Sequence, residues 1–309
     1  LGKETYYYEK EKVVVTMKKQ SKENQADDFS SIRKSIMKKT LSVFSMLVLF
    51  VCLLATGCGR QPAESKAVRP RIILGIFGGM GPEATANMYQ LIVQLTPAKK
   101  DQEHIPTVIY SFPQVPDRTT AIQSGDSSII PYLIEGVTRL QHAGASFIII
   151  PCNTAHYYYD QMQAAVDIPI LHMIRETVRH VVEHYPECQH IGLLATSGTI
   201  RSGLYKKEFA VSGRQTIIPD ESVETEFVMK AIIKIKAGNS GKESEDLLAA
   251  AGAHLEEKGA QVLVLGCTEI PLAFNPKRAR VPVVNATRVL AETAIRTFQE
   301  MSQGVKKRP

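Results

Sequence analysis

Several familiar devices are missing from this sequence. It has no CxxC pair, and its five cysteines (Cys52, Cys58, Cys152, Cys188 and Cys267) are odd in number and widely spaced. That pattern fits neither a disulfide scaffold nor a zinc ribbon, and the scattered histidines add no metal site. Its apolar stretch Leu41–Leu54 has only 14 residues, too short to cross a bilayer comfortably. The glycine-rich GGMG at 78–81 lacks the GxGxxG spacing and the acidic ribose partner of a dinucleotide site. Charge of one sign is also scarce in the body of the chain. The net charge is +6, but residues 1–57 hold 10 Lys+Arg against 6 Asp+Glu, leaving 27 against 25 for the rest. A nearly neutral body excludes a broad nucleic-acid-binding face. What is present is 309 residues, 44% hydrophobic and 22% charged, the balance of a soluble globular protein with room for about two domains.

The front of the chain reads as an address. In MKKTLSVFSMLVLFVCLLATGCG, Lys38 and Lys39 precede the apolar stretch, and Ala55-Thr56-Gly57 precede Cys58. This resembles a bacterial lipoprotein signal over residues 37–57, with Cys58 lipidated and the domain held in the cell envelope, outside the cytoplasm. A plain membrane anchor or a cleaved secretory signal is the alternative, and a cytoplasmic protein results if the leader is not used. Translation is expected to start at Met37, with residues 1–36 a disordered extension. Residues 58–70 read as a tether.

From Arg71 onward, short apolar strands alternate with amphipathic helices. Strands are expected at Ile72–Phe77, Thr107–Ser111, Phe147–Ile150 and Ile168–Leu171, and again at Ile191–Leu194, Thr216–Ile218, Val262–Leu265 and Val281–Val284. Helices are expected at Pro131–Gln141, Ile174–Glu183, Thr225–Lys236 and Glu243–Lys258. The pattern predicts an α/β protein with parallel sheets covered on both faces. The two sets echo each other: LGIFGGMG opens one and IGLLATSG the other, with 77 residues from Gly75 to Cys152 and 75 from Gly192 to Cys267. Ligands of open α/β sheets gather beyond the carboxyl ends of strands, where both cysteines fall.

A thiol at a helix N-terminus is drawn toward thiolate by the dipole and by nearby N–H groups. Asn153 and Thr154 are cap-forming residues that also donate to a carboxylate, and Thr268 repeats the offset of Asn153. Two acid–base groups on opposite sides of one carbon suit the inversion of a stereocentre. A single cysteine behind a buried strand is more often a small core hydrophobe. Two at equivalent positions of an internal repeat point to chemistry. Cys188, in YPECQH, has no such context and reads as structural.

The motifs ILGIFGGMGPEAT, PQVPDRT, FIIIPCNTAH, LLATSGTI, IKAGN and LGCTEIP, in this order from Arg71 to Phe298, resemble the cofactor-independent aspartate/glutamate racemase family, especially its aspartate branch. The resemblance implies two similar α/β domains, each with a parallel four-stranded sheet flanked by helices, related by a pseudo-twofold with the active site between them. It implies residues 71–172 plus 283–309 as one domain and 173–282 as the other. Cys152 and Cys267 match the catalytic acid–base pair. Met80 lies in a loop lining the substrate, Asn153 and Thr154 hold the α-carboxylate, and Thr268 completes the opposite wall. Arg118 and Lys236 favour a dicarboxylic amino acid, since a guanidinium grips a carboxylate bidentately. No cofactor, metal or nucleic acid is called for, and a homodimer is expected by analogy.

Competing readings remain at this level. Arg118 alone is also a surface loop charge, and Lys236 belongs to a Lys230-Lys234-Lys236 cluster that equally makes a solvated face. His156 either caps its helix or orients a neighbour, Glu269 is a candidate to polarise the second thiol, and Tyr157-Tyr158-Tyr159 reads as packing. Glutamate, broad-specificity and hydantoin racemases and maleate-type isomerases share the pattern. A lipoprotein solute-binding protein also uses two α/β lobes, but has no need of paired thiols.

Overall fold

LGIFG is buried at every residue, which a strand achieves only where both faces of its sheet are covered. The computed structural model describes residues 72–306, all within the unit Arg69–Pro309. The extension, signal and tether expected over residues 1–70, with Cys58, lie outside the described residues. The elements in chain order are β1 (Leu74–Gly78), α1 (Pro82–Leu95), β2 (Thr107–Ser111), α2 (Arg118–Ser124), α3 (Ile130–His142), β3 (Phe147–Ile149), α4 (Tyr159–Ala164), α5 (Met173–His184) and β4 (His190–Leu194). There follow α6 (Ser197–Ser202), α7 (Leu204–Val211), β5 (Gln215–Ile217), α8 (Glu221–Val223), α9 (Lys230–Lys236), α10 (Lys242–Glu257), β6 (Val262–Leu265), β7 (Val283–Asn285) and α11 (Ala286–Lys306). Among the described residues no helix is long and apolar enough to cross a membrane.

Two parallel sheets result, in the orders β2-β1-β3 and β5-β4-β6-β7. The internal repeat is visible in their register. Gly75 of β1 pairs with Ile148, and Cys152 follows four residues later; Gly192 of β4 pairs with Leu263, and Cys267 follows four residues later. Both glycines are needed for close approach. A Cβ on Gly192 would stand 2.7 Å from Leu263 and 2.8 Å from Ala260, and one on Gly75 would stand 3.0 Å from Ala145.

The fourth strand expected at Ile168–Leu171 is reduced to one parallel bridge, Ile148 to Ile170. Pro169 offers no N–H to a ladder, and His172 already caps α5 by accepting from Arg175 N–H, so the strand has no room to extend. Its counterpart β7 is a full strand, pairing Leu263 with Val283. In both lobes a helix starts three residues beyond that position, at Met173 and at Ala286. The bounds expected for the first domain, which resume at residue 283, take in the whole of β7, yet Val283–Asn285 pair with β6 and so lie in the second sheet.

The two helices that follow these last strands change lobes. Ile174, Val178 and Val181 of α5 pack with Ile191, Leu193 and Val262 of the second sheet. Ala286, Leu290, Ala291 and Ala294 of α11 pack with Leu74, Ile76, Phe147 and Ile149 of the first. The expected helix Thr225–Lys236 is also modified, because Glu224–Met229 form a π-helical stretch between α8 and α9. Such wide turns reorient the side chains that follow them and often mark functional walls.

Candidate active site

Beyond the carboxyl ends of β3 and β6 lies a cavity of about 290 Å³. Cys152 and Cys267 both line it, each 5% exposed and with a free thiol. Met80, Arg118, Asn153, Thr154, Lys236 and Thr268, the residues expected around the substrate, line the same cavity. Residues from both lobes thus meet where the strand pattern placed them.

Each side chain is held by local structure. Asp117 caps α2 by accepting from Thr120 N–H at 2.8 Å, which fixes the start of the helix and turns Arg118 inward. The Arg118 guanidinium donates to the carbonyls of Val115 (3.1 Å), Pro116 (2.9 Å) and Met80 (3.4 Å). Its Nε is buried with no partner, and so is Asn153 Nδ2. Buried donors left unpaired are costly, and two of them on the residues of one cavity suit an anionic ligand. Desolvation works against the Asp117 carboxylate. Hydrogen bonds from Thr120, with Arg118 and Lys236 nearby, nevertheless hold its carboxyl below the usual range.

Hydrogen bonds also stitch the lobes together. Tyr205 on α7 donates to Asn153 Oδ1 at 2.8 Å, and burial raises its phenol so that it remains a neutral donor. Thr154 Oγ1 lies 2.9 Å from the hydroxyls of both Thr196 and Thr199. Thr268 donates to Pro151 O at 3.3 Å. Behind Cys152, the buried His156 ring sits 2.8 Å from the Cys152 carbonyl through Nδ1, and Nε2 accepts from Met173 N–H at 3.1 Å. Burial drives His156 down to about 4, so the ring is neutral and carries its proton on Nδ1.

The second thiol has different surroundings. Cys267 Sγ donates to Glu269 Oε2 at 3.0 Å, while Glu269 Oε1 accepts from Gly81 N–H at 3.1 Å and pairs with Lys236 at 3.4 Å. Burial, then the Glu269 carboxylate, push the Cys267 thiol well above its ordinary value, and Lys236 only partly offsets them. Lys236 is lowered by desolvation, yet the Glu269 carboxylate first, and the two cysteines in their ionised form, lift it above the usual lysine value. The helix dipole expected to favour thiolate is weak here. Cys267 precedes an isolated 3₁₀ turn, Ile270–Leu272, too short to build a macrodipole, and Cys152 precedes a 3₁₀ turn, Thr154–Tyr158, whose alignment with the six-residue α4 is broken at Tyr158.

Some residues that line the cavity or brace its walls were not singled out by motif reading. Tyr205 lies 52 residues from Asn153 in the chain, and no periodicity marks it. Thr196 and Thr199 lie inside LLATSGTI, where a Thr at the cap of α6 is the available signal. Met229, Ile232 and Ile233 form an apolar wall whose orientation follows from the π-helical stretch. Among the described residues no cluster of His, Cys, Asp or Glu is gathered as a metal site would need.

Comparison with known proteins agrees with this architecture. The family model described as Asp/Glu/Hydantoin racemase matches residues 77–294. The broad specificity amino-acid racemase RacX of Bacillus subtilis strain 168 is 26% identical over 230 residues, covering 73% of this chain and 98% of that protein. Picrophilus torridus aspartate racemase superposes with a TM-score of 0.66 at 29% identity, over 74% of this chain and 94% of its own. A putative Asp/Glu racemase from Yersinia pestis gives 0.62 at 29% identity, over 74% and 99%. With the family model spanning most of the body, from within β1 to within α11, the chain belongs to the Asp/Glu/Hydantoin racemase family, enzymes of the isomerase class.

Proposed function

We propose that this chain is a cofactor-independent amino-acid racemase that inverts the α-carbon of an acidic amino acid, aspartate first, by a two-cysteine acid–base mechanism. The observation that carries the reading is that Cys152 and Cys267, four residues beyond equivalent strand positions, open into one cavity beside unpaired buried donors. In one half of the cycle a thiolate takes the α-hydrogen as a proton. The electron pair of the broken C–H bond moves into the α-carboxylate as an enolate, and the other thiol gives its proton to the opposite face. The enantiomer leaves with the two sulfurs' protonation exchanged, and the reverse direction uses the same steps with roles swapped.

The hard step is holding the enolate charge without an electron sink. Asn153 Nδ2 and the backbone N–H groups beside Asn153, Thr154 and Thr268 are the donors assigned to it, held on residues that are themselves almost wholly buried. Arg118 and Lys236 receive the second carboxylate. Lys236 remains partly exposed to the cavity, and Arg118 Nε is the free donor. The apolar wall of Met229, Ile232 and Ile233 favours a second reading, in which neutral amino acids are also turned over, as the name of the Bacillus subtilis relative says of that protein.

The decisive experiment incubates the domain from Arg71 onward with single enantiomers of each amino acid in deuterated water. α-Deuterium and handedness are then read together. Aspartate is expected to racemise with deuterium incorporation, and Cys152→Ala and Cys267→Ala are each expected to abolish turnover, one retaining slow exchange. Full turnover by either variant on chiral chromatography refutes the two-thiol mechanism.

A further inference from the structure

Glu269 is a carboxylate 3% exposed, a burial that acidic side chains almost never reach without partners. It has four. One oxygen accepts from the Cys267 thiol (3.0 Å) and lies 3.3 Å from the Thr268 hydroxyl, whose one proton it shares with Pro151 O; the other accepts from the Gly81 N–H (3.1 Å) and faces the Lys236 ammonium (3.4 Å). Gly81 is 188 residues away, so the same carboxylate ties the Met80 loop of the first lobe to the second thiol. For Cys152 the structure records no bond of its sulfur to any carboxylate among the described residues; the side chain that bonds it is His156, on its carbonyl. The two thiols of the repeat are therefore electrostatically unequal.

We infer that Glu269 is a third catalytic group of this cleft, controlling whether Cys267 meets the substrate as thiol or thiolate, with Lys236 setting the strength of that control. The inference rests on the racemase reading and adds to it a residue that touches a reacting atom. A carboxylate accepting from the thiol resists formation of a thiolate beside it, since two like charges at this distance repel inside a desolvated site. The Lys236 ammonium acts in the opposite sense. Besides these two, the titratable or charged groups around Cys267 are Cys152, Arg118 and Asp117 across the cavity and Tyr205 from α7. Burial of Cys267 works in the same direction as Glu269. A thiol so held gives up its proton only when the substrate carbon is the better acceptor. That suits the step in which Cys267 is the acid, and it slows the step in which Cys267 is the base.

The test measures the thiol directly, without turnover. Cys267 and Cys152 are alkylated with iodoacetamide, a neutral probe, across a pH series and read as separate peptides by mass spectrometry. In Glu269→Gln, which keeps the shape but removes the charge, Cys267 is expected to react at neutral pH roughly three- to fourfold faster for each pKa unit the charge contributes, because a tenfold gain in thiolate is partly offset by its lower nucleophilicity, with its midpoint moved to lower pH. Cys152 should shift far less. Glu269→Asp keeps the charge and should stay near the parent midpoint. Lys236→Met should slow Cys267, and it decides the question if Glu269→Gln does not fold. An unchanged Cys267 midpoint in Glu269→Gln, equal shifts at both cysteines, or no slowing in Lys236→Met would overturn the role given to Glu269. A shifted thiol in a protein that racemises nothing would support the Glu269–Cys267 link while removing the racemase reading.

Discussion

At the scale of single residues, the cleft works by leaving selected donors unpaired and satisfying everything next to them. Asn153 shows the division: its oxygen is claimed by Tyr205, which leaves its Nδ2 unpartnered. An amide with neither group fixed could flip, and in the mechanism proposed above the enolate would lose its donor half the time. Tyr205→Phe removes only the hydroxyl, and the ring stays stacked on Phe209. Leaving the buried Asn153 Oδ1 unpaired costs about 1–3 kcal/mol, so the urea midpoint should fall. A loss of about 1 kcal/mol from the oriented donor should lower kcat/KM roughly fivefold in the protein that stays folded. A kcat/KM equal to the parent's would show that Asn153 is oriented by something else. The sequence marked Asn153 through its CNTAH motif, but not Tyr205. The bond depends on α7 of one lobe meeting β3 of the other, and local pattern carries no record of that meeting.

At the scale of elements, the loop after β3 is clamped rather than helical. The 3₁₀ turn Thr154–Tyr158 is too short to stabilise itself, and His156 fastens it by linking the Cys152 carbonyl to the first N–H of α5. Only the neutral ring can accept from Met173. The sign follows from the shift: His156 has an ordinary value of 6.5 and about 4 when folded, so between these pH values the unfolded chain binds a proton that the folded one refuses. Stability is therefore fully present above about pH 6.5 and is lost as pH falls toward 4. His172, lowered to about 3 by burial and by His156, adds to the same slope. In His156→Gln, whose amide can donate and accept in the same places, urea midpoints between pH 7 and pH 4 should fall less steeply than in the parent. Identical slopes would remove His156 from the acid response. The strands themselves were legible, because continuous apolar runs such as FIII and VLVL leave little choice of fold. The exceptions have physical causes: Pro169 and the His172 cap stop one strand after a single bridge, and the π-helical stretch at Glu224–Met229 is invisible to a 3.6-residue period.

At the scale of the whole molecule, the repeat explains both the cleft and its rigidity. Each lobe ends in a strand position followed three residues later by a helix that packs on the other lobe, so α5 and α11 exchange partners. The seam is closed further by Tyr205 to Asn153, Thr268 to Pro151 and Glu269 to Gly81, all at the floor of the cavity. The spacing of Gly75–Cys152 and Gly192–Cys267 announced the repeat, but the exchange of helices entered only through the family resemblance, whose bounds give residues 173–282 to one domain and 283–309 to the other, because nothing in an amphipathic stretch by itself says which sheet will cover it. Lobes interlocked in this way should unfold together. A ligand touching both should then stabilise the entire body rather than one half. The variant carrying both Cys152→Ala and Cys267→Ala cannot exchange the α-proton, so aspartate stays a single enantiomer during the measurement. At a hundredfold excess over its Kd the gain is about 2.7 kcal/mol, or roughly 5–11 °C in Tm for a body of this size. One transition that moves as a whole with aspartate, and moves less with alanine, is the expected result. Two transitions of which one moves would mean that the lobes are independent and that the ligand is held by one of them, which no mechanism with a sulfur from each side can use.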